Sequence, residues 1–87
     1  MAIVVLPRSL TVLFPGAERH VEADGATVAQ LIDALDGRWP GVRDRLCQRS
    51  DALRDFINVY VDGQPADLTT QVAPTSTVHI LPAVAGG

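Results

Sequence analysis

The chain has 87 residues, 47% hydrophobic and 20% charged, with a net charge of −3. That composition describes one globular domain, with room for a single core but little for a deep catalytic cleft. It excludes the basic stripe a nucleic-acid partner needs, and the single cysteine, Cys47, excludes an internal disulfide framework. No apolar run is long enough to span a bilayer, and Pro7 interrupts the apolar start before it could serve as a leader. The expected setting is therefore cytoplasmic, with no nucleic-acid or membrane partner.

Met1 to Leu6 is apolar and β-branched and reads as a buried strand that Pro7 stops. Leu10 to Phe14 reads as continuing extended, Pro15-Gly16 as a turn, and His20 to Ala23 as a half-buried returning strand, so the N-terminal part is expected to be a hairpin. Val28, Leu31, Ile32 and Leu35 then recur at i, i+3, i+4 and i+7, which predicts one apolar helix face. Thr27 with Gln30 three residues later is a capping-box pattern that starts this helix. Pro40 opens a second, short helix through Leu46, and the polar stretch Gln48 to Asp55 reads as a loop.

Phe56 to Val61 alternates, with Ile57, Val59 and Val61 on one face and Asn58 and Tyr60 on the other. Asp62-Gly63 is a turn signal, and a short extra strand is expected near Ala66 to Leu68. Thr77 to Leu81 is the last strand, with Val78 and Ile80 inward and His79 and Leu81 outward. One helix laid across one face of a mixed sheet buries both apolar surfaces. The order β-β-α-β-β, with first and last strands parallel, defines an α+β fold of the ubiquitin-like β-grasp type. A domain over residues 1–82 is expected, followed by a flexible tail, 83–87.

The tail ends in Gly86-Gly87, a pair that arises by chance in roughly one chain in 200. Its position directly after the last strand gives it force. Glycine lets a terminal backbone enter a narrow tunnel, and five extended residues reach at most about 17 Å, enough to carry a carboxylate into another protein. All seven basic residues are arginine, so the chain offers no lysine amine to its own activated end.

The other chemistry-bearing residues are isolated. Cys47 reads as a buried thiol, and His20 and His79 have no partners that would make a metal site. Asp33, Asp36, Asp44, Asp51 and Asp55 read as solvated faces. Leu81 and Tyr60, outward on adjacent strands beside the tail, form a candidate docking patch.

Four segments carry a resemblance to a known family: Ala26-Thr27-Val28-Ala29-Gln30-Leu31-Ile32, Trp39-Pro40-Gly41-Val42-Arg43-Asp44-Arg45-Leu46, Phe56-Ile57-Asn58-Val59-Tyr60-Val61-Asp62-Gly63, and the Gly-Gly tail. Over essentially its whole length the chain resembles the ThiS/MoaD group of ubiquitin-like sulfur carriers, and its tail looks most like the CysO type. It departs where members often carry Asp-Gly-Asp before the last strand; here the residues are Ala73-Pro74-Thr75-Ser76.

The resemblance implies a carrier with no catalysis of its own, in which Gly87 bears the reacting carboxylate and Val84, Ala85 and Gly86 thread the partner. An E1-like adenylyltransferase uses ATP to activate Gly87, and a sulfur donor converts it to a thiocarboxylate. An acceptor enzyme then takes the sulfur; for the CysO type this is a pyridoxal-phosphate-dependent cysteine synthase, followed by a JAMM-type metalloprotease. ATP, pyridoxal phosphate and zinc belong to those partners, and no cofactor or metal is expected on this chain. Two alternatives stay open: a MoaD-like small subunit of molybdopterin synthase, and a ubiquitin-like protein modifier.

Overall fold

Residues 1–49 and 52–82 are described by a computed structural model. Four β-branched or small apolar residues start the chain as β1 (Ala2–Val5), and its ladder ends where Pro7 removes a donor. The chain then turns into a short helix, α1 (Arg8–Leu13), rather than continuing extended. Pro7 stands at the N-cap, its carbonyl accepting from the Leu10 and Thr11 amides, and Phe14 N–H closes the end on Leu10 O. Leu10 is buried and Phe14 packs on the core; these two are four residues apart, so the apolar run follows a helical period, not a strand's alternation.

The returning strand β2 (His20–Ala23) pairs antiparallel with β1, Val4 opposite Val21, with Val21 and Ala23 buried. The hairpin expectation holds for the pairing, with α1 inserted in its connection. The main helix α2 (Val28–Arg38) buries Val28, Leu31, Ile32 and Leu35. Its cap forms with one shift: Thr27 Oγ1 accepts from Gln30 N–H at 3.2 Å as expected, while Gln30 Oε1 accepts from Ala26 N–H, one residue before the N-cap, at 2.7 Å. Gly25 lies so close to this first turn that a Cβ would stand 2.9 Å from Leu31 N. The segment at 68–72 completes the seat: Leu68 O and Thr70 O accept from the Ala29 and Val28 amides, and Val72 N–H donates to Ala26 O.

The second helix, α3 (Val42–Leu46), starts two residues later than Pro40, after Gly41 in the left-handed region at φ 106°. Asp36 Oδ1 supplies its missing cap, accepting from Gly41 N–H at 3.1 Å and Arg43 N–H at 3.0 Å, and Asp33 forms an ion pair with Arg43. Asp33 and Asp36 therefore tie α3 to α2 instead of only facing water. The stretch expected as a loop contains a second small sheet, β3 (Cys47–Arg49) against β4 (Ala52–Leu53). Strands of three and two residues are too short for an alternation to show.

β5 (Ile57–Val61) and β6 (Gln64–Ala66) form a hairpin closed by Asp62 and Gly63, both at positive φ (50° and 84°). The two-residue turn starts β6 two positions earlier than the expected Ala66. It also points the bare nitrogen of Pro65 to the outer edge, where a missing donor is tolerated. β7 (Thr77–Pro82) lies between β1, to which it is parallel, and β5, to which it is antiparallel. The sheet order is β2-β1-β7-β5-β6. Before β7, the turn Ala73-Pro74-Thr75-Ser76 is closed by Ser76, whose Oγ accepts from Ala73 N–H at 3.0 Å. Under α2 the core gathers Val4, Val21, Val59, Val61, Val78 and Ile80, with Ile57 packed at its margin. No helix among the described residues is long and apolar enough to cross a membrane.

Candidate functional site

β7 carries the site because the chain runs from it into the Gly-Gly segment. Gly87, Gly86, Ala85 and Val84 lie outside the described residues; the last described residue, Pro82, pairs with Ile57 at the start of β5. Period-2 alternation puts Leu81 on the sheet face away from α2, where it is 40% exposed. Tyr60, half-buried, shares that face. Leu81 stands directly opposite Asn58 and Tyr60 directly opposite His79, so the two docking candidates are diagonal neighbours, near enough for long side chains to meet.

The registers place one continuous row across this face: His20, Val5, His79, Tyr60 and Pro65, one residue from each strand. Val5 is only 7% exposed although its parity points it away from the core; its neighbours in the row are the two imidazoles. The histidines are therefore on one face but separated by β1. Among the described residues no group of three or more His, Cys, Asp or Glu side chains gathers to hold a metal. The row was missed in the sequence because it depends on which strands are neighbours, not on any local pattern.

Cys47 is buried at the end of α3. Desolvation by burial pushes its thiol up, outweighing the pull of Arg43 and Arg54 and adding to the push of Asp33 and Asp44. The group is thus held as a thiol, unsuited to nucleophilic work. Asp62 and Asp67 are shifted the other way. The carboxyl of Asp62 is held low by the backbone N–H of Thr77, at 2.9 Å, and then by the Ser76 hydroxyl. That of Asp67 is held low by the hydroxyl and amide of Thr69 and by Thr70. Both shape turns rather than chemistry.

A cleft of about 420 Å³ lies at the β2 edge, between Met1, His20, Glu22 and Trp39. Arg38 crosses it, donating to Glu22 O at 3.0 Å with its guanidinium 4.5 Å from the centre of the Trp39 ring. The side chain occupies an open backbone acceptor of an edge strand, which blunts that edge. The cleft is two strands from β7 and so is remote from the root of the C-terminal segment.

A five-stranded mixed sheet with parallel outer termini at its centre, crossed by α2, defines a ubiquitin-like β-grasp protein. The ThiS family model matches residues 5–87, and the chain belongs to the ThiS family. It is 36% identical over 85 residues to the sulfur carrier protein CysO of Mycobacterium tuberculosis, covering 88% of this chain and 91% of that one. It is 37% identical over 69 residues to small archaeal modifier protein 1 of Haloferax volcanii, covering 78% and 79%. Among solved structures it is similar to the Amycolatopsis orientalis BexX/CysO complex, with a TM-score of 0.87 and 38% identity over all of both chains.

Proposed function

We propose that this chain is a sulfur carrier protein, a co-substrate rather than an enzyme. The observation that carries the reading is the extent of the family match, which runs through Gly87 and so takes in the Gly-Gly pair. Similarity to proteins named sulfur carriers supports it. In this reading an E1-like enzyme joins the Gly87 carboxylate to the AMP portion of ATP, releasing pyrophosphate. Hydrosulfide then adds to the acyl carbon, and AMP leaves with the electron pair of the acyl–oxygen bond. The product is a thiocarboxylate, an anionic sulfur nucleophile that an acceptor enzyme draws into its own site.

For a CysO-like carrier the acceptor is a pyridoxal-phosphate-dependent cysteine synthase, with a JAMM-type metalloprotease trimming the adduct. The solved complex of CysO with BexX supports a protein partner for the carrier in general. Leu81 and Tyr60 serve in docking and Val84 to Gly86 in threading. The similarity to an archaeal modifier protein favours one second reading, in which activated Gly87 is joined to lysines of target proteins. Incubating the chain with ATP, sulfide and the E1-like enzyme of its own organism separates the two. A carrier gains the mass difference between sulfur and oxygen and reacts with alkylating reagents at its end; a modifier appears in lysine-linked adducts.

A further inference from the structure

The two edges of the five-stranded sheet are closed in different ways. At β6 the guard is covalent, because Pro65 has no N–H to offer another strand. At β2 the guard is a side chain. Which way the β2 backbone faces follows from its neighbours. Ile3 N–H donates to Ser76 O on the β7 side, so the peptide groups of Val4 face β2, where Val4 stands opposite Val21. Leu6 N–H, two residues further on, donates to Arg19 O. Arg19, Val21 and Ala23 therefore turn their peptide groups toward β1. His20 and Glu22 turn theirs out to the free edge. Among the described residues only Glu22 O has a partner there, accepting from Arg38 at 3.0 Å.

An edge with unfilled donors and acceptors is a template for another strand. Arg38 indicates what that strand would carry. Its guanidinium lies between Glu22 O and the Trp39 ring, 4.5 Å from the ring centre, so the edge already holds a cation of its own. The carboxylates of Glu18 and Glu22 stand in the same cleft, both exposed, and among the described residues neither is in an ion pair. Two carboxylates, an aromatic face and a backbone acceptor suit a basic side chain. Arg38 is tied to the edge by one exposed hydrogen bond. An added strand bonds to His20 and Glu22 together, so the exchange favours the strand.

We propose that the β2 edge is a second protein-binding site, which takes an extended, arginine-bearing peptide segment as a sixth strand and has Arg38 as the plug that this segment displaces. The incoming arginine replaces Arg38 over Trp39 and lies against the carboxylates of Glu18 and Glu22. A second copy of this chain is the poorer occupant. Its own edge carries the same acids, and joining the two edges crowds Glu18, Glu22 and Asp24 of both copies together. The site is independent of the chemistry at Gly87.

The full chain is titrated with a capped peptide of about seven residues that alternates valine and arginine, and amide spectra and amide hydrogen exchange are recorded. Binding should saturate, and exchange at His20 and Glu22 should slow about tenfold or more as ladder bonds form. Val21, whose amide already faces β1, should change little. Arg38→Met keeps the apolar stem and removes the donor, so it should tighten binding about threefold or more by freeing the edge. The double reversal Glu18→Lys/Glu22→Lys should weaken binding about tenfold or more, with thermal midpoints unchanged in both variants. A peptide with glutamate in place of arginine should not bind. No binding of the arginine peptide, equal binding of the glutamate peptide, protection confined to residues outside β2, or an Arg38→Met chain that binds no more tightly would each overturn the proposal. So would a chain that dimerises through this edge in sedimentation and takes up no peptide.

Discussion

The two faces of the five-stranded sheet are built to different requirements. Beneath α2, Ala2, Val4, Val21, Ala23, Val59, Val61, Val78 and Ile80 are all buried, each set by alternation against a helix face that is equally apolar. The opposite face mixes Ile3, Glu22, Asn58, Tyr60, Thr77, His79 and Leu81, with exposed and half-buried residues side by side. The inner face answers to packing, where one missing methyl group is felt. The outer face is left partly open to solvent. Substitutions should therefore separate into those that cost stability and those that cost only docking.

The largest stability loss is expected inside. Leu31→Ala should lower unfolding stability by about 2–5 kcal/mol in denaturant titration, because the side chain is fully buried and its loss leaves a cavity in the core. A loss below about 1 kcal/mol would mean that α2 is not seated on the sheet as described. Gly25→Ala comes next, at about 1–3 kcal/mol, since the new Cβ meets the backbone of Leu31 and Gln30 rather than a side chain that can move.

Acid should act on the turns. Asp62 and Asp67 titrate below their ordinary value of 3.8 in the folded protein, so the folded state binds fewer protons than the unfolded chain there. Their stabilising contribution is full above the ordinary carboxylate range and disappears as pH falls through the lowered values. Asp62→Asn should therefore flatten the acid limb of a thermal-midpoint profile below about pH 4 and leave the neutral region's slope unchanged. Smallest in stability is Leu81→Glu, within about 0.5 kcal/mol of the unmodified chain, yet it should weaken the encounter with the activating enzyme. If it unfolds the domain instead, the outer face is structural and the comparison fails.

The same division governs what the sequence reveals. α2 was legible because four apolar positions and a cap agree on one period. The parallel pairing of β1 with β7 followed from the economy of covering a sheet with one helix. α1 was not legible: in Leu10-Thr11-Val12-Leu13-Phe14 the inward pair Leu10 and Phe14 is masked by exposed apolar residues between them. β3 and β4, at three and two residues, are too short to show a strand's rhythm, and the expected edge strand begins two residues before Ala66, with Pro65 inside it. For the site, alternation placed Leu81 and Tyr60 on one face. The His20–Val5–His79–Tyr60 row comes from strand neighbours distant in sequence, which local patterns do not encode. The cap that Asp36 makes on α3 and the Asp33–Arg43 ion pair belong to the same class.

The central claim is that the reactive group is the main-chain carboxylate of Gly87, and one measurement tests it directly. The chain and a version lacking Gly87 are incubated with ATP, sulfide and the E1-like enzyme, and their intact masses are compared. Removing one residue shifts the carboxylate by about 3.5 Å, where a misplacement of about 1 Å can cost 100-fold. The full chain should gain the sulfur-for-oxygen mass difference and an alkylatable end. The shortened chain should gain neither, with its thermal midpoint unchanged. A shortened chain that acquires the same mass and label would contradict the account.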